Sequence, residues 1–310
     1  MRLAFQAFLT MNTEKIIHSE ALVAPAHSIL DLPNEILSEV FLHFIPAYPY
    51  PPPLLGLLSP TCLMLVCRRW QETALATRPL WRAILIKDDL VPFPPQMPVV
   101  ALWTARSGVH ALSICVEEIQ QPFRWTSHLY DALDRDLPLL RSLHLGLGTD
   151  CESVETIDDA PLLRMVVVED GVDLSRVLMP WTQITSLTLC GASETECIDV
   201  LGECLNLQEC KLTVSPGISP CRYAVWLPHL TVLDLTSQRH MFLNHFDTPA
   251  LRCLRVSTGY PSGIDLFQDL LERSQCPLEE IHIVNTLQIK EAYRHEFPAI
   301  RITFPDAVVD

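Results

Sequence analysis

The most regular pattern in this chain is an aliphatic triplet, L-x-x-L-x-L, with polar residues in the gaps. It occurs as Val109-x-x-Leu112-x-Ile114, Leu140-x-x-Leu143-x-Leu145, Leu163-x-x-Val166-x-Val168 and Ile184-x-x-Leu187-x-Leu189. It continues as Leu207-x-x-Cys210-x-Leu212, Leu230-x-x-Leu233-x-Leu235, Leu251-x-x-Leu254-x-Val256 and Leu278-x-x-Ile281-x-Ile283, with Phe297-x-x-Ile300-x-Ile302 last. The second and third aliphatics alternate with other residues at period two, which predicts a short strand with one buried face. The middle residues recur mostly every 21 to 23 positions, a spacing that marks a repeated unit. Between the strands the pattern shifts toward a helical period, most clearly over Glu194 to Leu205 and Ile264 to Arg273. A strand and helix of this size cannot bury their own apolar face, so the units must stack. Prolines stand just before several units (Pro138, Pro161, Pro228, Pro249, Pro277), where they end the preceding element and set an extended entry.

The first third reads differently. Ile36, Leu37, Val40, Phe41 and Phe44 draw a stripe along one helical face, and Pro33 suits the first turn. Ser59 and Pro60 form a second start signal, a cap followed by a first-turn proline. After it come Leu63, Val66, Trp70, Leu80 and Trp81. Between these parts, residues 46–53 hold five prolines and two tyrosines, which reads as an exposed loop. Residues 87–98, with Pro92, Pro94, Pro95 and Pro98, read as a proline-rich linker.

In order, Leu32, Pro33, Glu35, Ile36 and Leu37, then Val66, Cys67, Arg68, Arg69 and Trp70, then Leu80 and Trp81 resemble the F-box. The later triplets resemble degenerate leucine-rich repeats, without the asparagine those repeats carry after the strand. The resemblance implies an α/β chain: an N-terminal helical F-box module followed by an irregular leucine-rich-repeat-like solenoid. The expected division is a leader over 1–27, the module over 28–86, the linker over 87–98 and the repeats over 99–310. The resemblance also implies a Skp-type adaptor as partner and, through it, a cullin–RING ligase. By match to the motif, the adaptor contacts would be Leu32, Pro33, Ile36, Leu37, Val66, Arg69 and Trp70.

Composition narrows the function. With 22 basic and 37 acidic residues the net charge is −15, which argues against a nucleic-acid backbone as partner. No apolar run approaches the ~20 residues a membrane span needs, so no membrane partner is expected. Eleven cysteines without a C-x-x-C pair read as buried, reduced thiols of a cytoplasmic or nuclear protein, and no metal or cofactor is expected. No phosphate loop, nucleophile elbow or metalloprotease motif occurs, so no catalytic residue is assigned.

The strand residues that alternate with the buried aliphatics face outward. These include His144, Glu169, Lys211, Asp234, Arg255 and His282, and they form a candidate substrate-binding stripe. The expected function is the substrate-recognition subunit of a Skp–cullin–F-box ubiquitin ligase. The alternative is an F-box docking protein with no part in ubiquitin transfer.

Overall fold

The alternation of the triplets becomes one strand ladder. The computed structural model describes residues 29–87, 93–119, 132–147, 155–157, 159–215, 224–238, 240–258, 264–284 and 290–304; the leader over 1–27 lies outside them. The strands are β1 (Ala83–Lys87), β2 (Leu112–Ile119), β3 (Leu140–Leu147), β4 (Glu155–Thr156), β5 (Met165–Val168), β6 (Val177–Leu178) and β7 (Ser186–Ser193). They continue as β8 (Glu209–Ser215), β9 (Val225–Trp226), β10 (Val232–Ser237), β11 (Phe246–Asp247), β12 (Cys253–Thr258), β13 (Glu280–Val284) and β14 (Arg301–Thr303). The helices are α1 (Asn34–Leu42), α2 (Arg68–Ala76), α3 (Phe93–Ser107), α4 (Glu194–Glu203), α5 (Ile264–Ser274) and α6 (Lys290–Glu296).

Ten strands form one sheet in the order β1-β2-β3-β5-β7-β8-β10-β12-β13-β14, and every pairing is parallel. Along the ladder Ile84, Ile114, Leu143, Val166, Leu187, Cys210, Leu233, Leu254, Ile281 and Ile302 lie side by side. All but the last are buried, as is the next row, from Ile86 and Val116 to Val256 and Ile283. The helices, 3-10 turns and two short parallel pairs, β4–β6 and β9–β11, complete the fold. α4 starts where the sequence says it should: Ser193 and Glu196 form a reciprocal capping box.

This architecture corrects the expected one. The α/β class holds, but the structure is a ten-stranded all-parallel sheet with helices, not a helical F-box module followed by a solenoid. The segment assigned to the module contributes β1 to the sheet, because Ile84 and Ile86 carry the same period-two pattern as the later strands. Its helices share one apolar cluster with the sheet, running from Leu37 to Phe297. Trp81 and Trp103 meet edge to face at 5.3 Å across that boundary, tying the turn after α2 to α3. A segment of about sixty residues buries only about 60% of its surface alone and is marginal, so sharing the sheet's core adds burial for these rings.

Three further expectations change. Residues 93–98, read as linker, are the start of α3; Pro94 and Pro95 sit in its first turn, where N–H groups lack intrahelical partners, and only Pro98 stands deeper. The proline-rich stretch 46–53 is not a free loop. Pro53 bridges to Leu85, Pro49 accepts a hydrogen bond from Ser113 Oγ at 2.7 Å, and the Arg82 guanidinium lies over the Tyr48 ring. Prolines suit an edge they cover, having no N–H to pair. Finally, the first and last triplets were framed two residues early, since Ile114 pairs with Leu143 and Ile302 with Ile281. Val109 is accordingly 80% exposed. Among the described residues after β3, three linking segments are 3-10 turns and three are α-helices.

Candidate functional site

Two regions are candidates for function. The first is the outer surface of α1 and of the turn before α2. Pro33 caps α1. The two adjacent aliphatics after Glu35 then separate: Ile36 is 49% exposed and Leu37 is 0% exposed. Val40, one turn beyond Ile36, is also exposed, as are Leu65 and Val66. Ser59 caps a 3-10 turn over Pro60–Leu65 by accepting from the Thr61 N–H, and Cys67 then opens α2. Arg69 ties the pieces together. Its Nε and Nη2 donate to Asn34 Oδ1 at 3.1 and 2.9 Å, and Nη2 also donates to the Leu32 carbonyl. That bond set brings the residues before α2 beside the start of α1.

Of the seven expected adaptor contacts, Pro33, Ile36 and Val66 are exposed and Leu32 is half-buried. Leu37 and Trp70 are not surface groups. Both are core, the Trp70 and Phe41 rings meeting at a tilt with 5.0 Å between their centres. Arg69 is engaged by its own chain. An apolar residue on the inner side of a two-helix packing closes that packing; only its outer neighbours remain for a partner. Val40 and Leu65 extend the exposed surface and were not among the expected adaptor contacts.

The second region is the outward face of the sheet. The register sets His144, Val167, Thr188, Lys211, Asp234, Arg255 and His282 in one row. Much of this row is internally paired. Arg255 Nη1 meets Asp234 Oδ2 at 3.1 Å, and His282 hydrogen-bonds the Thr303 hydroxyl with Glu280 Oε2 at 3.5 Å. Lys211 is exposed. Glu169 lies past the end of β5, and its carboxylate turns back toward His144.

At the β2–β3 end this face holds a dense polar cluster. Cys115 Sγ is 3.1 Å from His144 Nδ1 and donates to Glu117 Oε1 at 3.3 Å. His144 Nε2 is 2.9 Å from Glu169 Oε1, and Lys87 Nζ is 3.9 Å from Glu117 Oε2. A thiol, an imidazole and a carboxylate in line outline a nucleophile with its base and orienter. Burial and the neighbouring charges of Glu117 and Glu169 oppose that role: they push the Cys115 thiol well above its ordinary range. Cys115 is 2% exposed, so without a metal its thiol neither ionises readily nor meets a substrate. The Cys115, Glu117 and His144 donor atoms lie within 4.8 Å of one another, and so do those of Cys253, Glu280 and His282. Sequence reading missed Cys115 and Glu117 because of the frame slip. With Leu112 taken as the middle aliphatic, Ser113 falls opposite His144; in the true frame it is Cys115.

Among the described residues no helix is long and apolar enough to cross a membrane. No family model matches the chain, and no curated protein matches it.

Proposed function

We propose that this chain is the substrate-recognition subunit of a Skp–cullin–F-box ubiquitin ligase. The surface formed by Pro33, Ile36, Val40, Leu65 and Val66 docks a Skp-type adaptor, and the polar face of the sheet holds a protein substrate. The observation that carries the reading is the exposure of Pro33, Ile36 and Val66, within a segment whose residue order resembles the F-box. Apolar side chains one helical turn apart on an open surface suit a helix laid against them. The chain supplies no ubiquitin-transfer chemistry of its own in this scheme; it raises the local concentration of substrate lysines near the charged conjugating enzyme.

Purified full-length protein and a purified Skp-type adaptor test the proposal by titration calorimetry. The parent binds, and Ile36→Lys with Val40→Lys abolishes binding while the far-ultraviolet circular dichroism stays that of the parent. A parent that does not bind, or a double variant that binds equally well, refutes it. Reconstituted ubiquitin transfer to proteins captured on the sheet face then separates a ligase subunit from a docking protein that leaves its partners unmodified.

A further inference from the structure

We infer that Cys115, Glu117 and His144 form a zinc site on the outer face of the sheet, with Glu169 orienting the histidine and water in the fourth position. The inference does not rest on the adaptor reading.

The donor set comes first. A thiol, an imidazole and a carboxylate are the side chains zinc takes, and three protein ligands plus water make an open tetrahedral site. The spacing comes second. Zn–S of ~2.3 Å and Zn–N of ~2.0–2.1 Å at a tetrahedral angle put the sulfur and nitrogen about 3.5 Å apart. The measured separations are 3.1 Å from Cys115 Sγ to His144 Nδ1 and 3.3 Å to Glu117 Oε1. The ligands therefore need to open by only a few tenths of an ångström. Two of the three sit on paired positions of neighbouring strands, Cys115 opposite His144, and Glu117 is two residues further along β2 on the same face. The sheet itself holds the geometry.

The third observation lies behind the ligands. His144 Nε2 meets the Glu169 carboxylate at 2.9 Å. Hydrogen on Nε2 then donates to Glu169 and leaves the Nδ1 lone pair facing Cys115. A carboxylate on the far nitrogen of a ligating histidine is the usual support of a zinc site, fixing tautomer and ring angle. Lys87 approaches the other oxygen of Glu117 at 3.9 Å, leaving Oε1 to the metal. When zinc binds, the Cys115 thiol gives its proton to solvent as the Zn–S bond forms.

The second cluster, Cys253, Glu280 and His282, has the same residue types and serves as an internal comparison. There Arg301 occupies the Glu280 carboxylate, and the bond to Thr303 occupies His282 Nδ1. The guanidinium already neutralises the carboxylate, whose other oxygen lies 3.5 Å from His282 Nε2, and on the Nδ1 side the ring meets the Thr303 hydroxyl rather than a second carboxylate.

Full-length protein in a non-thiol reductant is titrated with Zn²⁺, and with Co²⁺ as a spectroscopic probe. The expected result is one saturable equivalent per chain, with a thiolate-to-cobalt charge-transfer band. Cys115→Ser abolishes the band, and His144→Gln weakens affinity by at least ~10-fold. Glu169→Gln, acting behind the ligand, keeps the band and weakens affinity about 10-fold. Cys253→Ser changes neither. His144 is part-exposed, so its variant keeps the test decisive if Cys115→Ser fails to fold. No saturable binding, or His144→Gln binding with the parent's affinity, overturns the proposal; so does binding lost with Cys253→Ser.

Discussion

Ile36 and Leu37 are neighbours in sequence and opposites in environment, and truncating each to alanine separates core from docking surface. Leu37 is fully buried in the apolar cluster that also holds Phe41, Trp70 and Trp81. Removing its side chain beyond Cβ leaves a cavity, so Leu37→Ala costs about 3 kcal/mol of stability. Ile36 is 49% exposed, so about half of its full burial value of ~2 kcal/mol is at stake, and Ile36→Ala costs about 1 kcal/mol or less. Adaptor affinity runs the other way. An apolar anchor at the centre of an interface is worth ~2 kcal/mol on truncation, which lowers affinity about 30-fold. Leu37→Ala leaves affinity within a few-fold as long as the protein is folded. Urea unfolding followed by tryptophan fluorescence reads stability, since Trp70, Trp81 and Trp103 all lie in this end of the core; calorimetry reads affinity. Equal stability losses would refute the assignment of faces. Loss of binding with Leu37→Ala alone would refute the docking surface.

Gly191 has φ +75°, and a Cβ there would lie 2.1 Å from Asp170 Oδ1. Gly191→Ala is expected to cost about 1–2 kcal/mol for the backbone plus a contact with Asp170 that Asp170→Ala relieves only in part, since Asp170 Cβ itself lies at 2.8 Å; a urea-unfolding cycle showing the same cost in both backgrounds would contradict this. Trp81 Nε1 donates to the Ala74 carbonyl at 2.9 Å, while the buried Trp103 Nε1 has no partner among the described residues. Trp81→Phe should therefore cost about 1 kcal/mol more than Trp103→Phe in the same assay. Burial, then the Glu203 charge, pushes the Cys204 thiol up to about 12. Above pH ~9 the unfolded chain loses this proton and the folded chain keeps it, so stability falls with rising pH, by about 1.4 kcal/mol per unit for this thiol, until about pH 12. Under reducing conditions the urea midpoint should drop between pH 8 and pH 10, and less so in Cys204→Ala; an unchanged midpoint in the parent would count against it.

Much of the ladder was legible in the sequence because a strand's buried face is written locally. Seven of the nine triplets, from Leu143 to Ile281, stand in the expected register. The helices at Glu194 and Ile264 start where periodicity put them. The two slipped frames lie at the ends, where Val109 and Phe297 offered an extra aliphatic two residues early. Spacing alone does not say which of two alternating frames pairs with the next strand.

Local pattern alone determined that this chain builds short strands from repeated aliphatic triplets, with a short helical stretch ahead of them. The tertiary structure decided three things. β1 and the first helices joined the sheet's own core because Ile84, Ile86 and Trp81 found apolar neighbours in α3 and β2. Leu37 and Trp70 turned inward while Ile36 and Val66 stayed out, because the side of a helix that meets a neighbour is set by the neighbour's position. Cys115 met His144 across 29 residues of sequence because strand pairing, which depends on the whole ladder, chose their register.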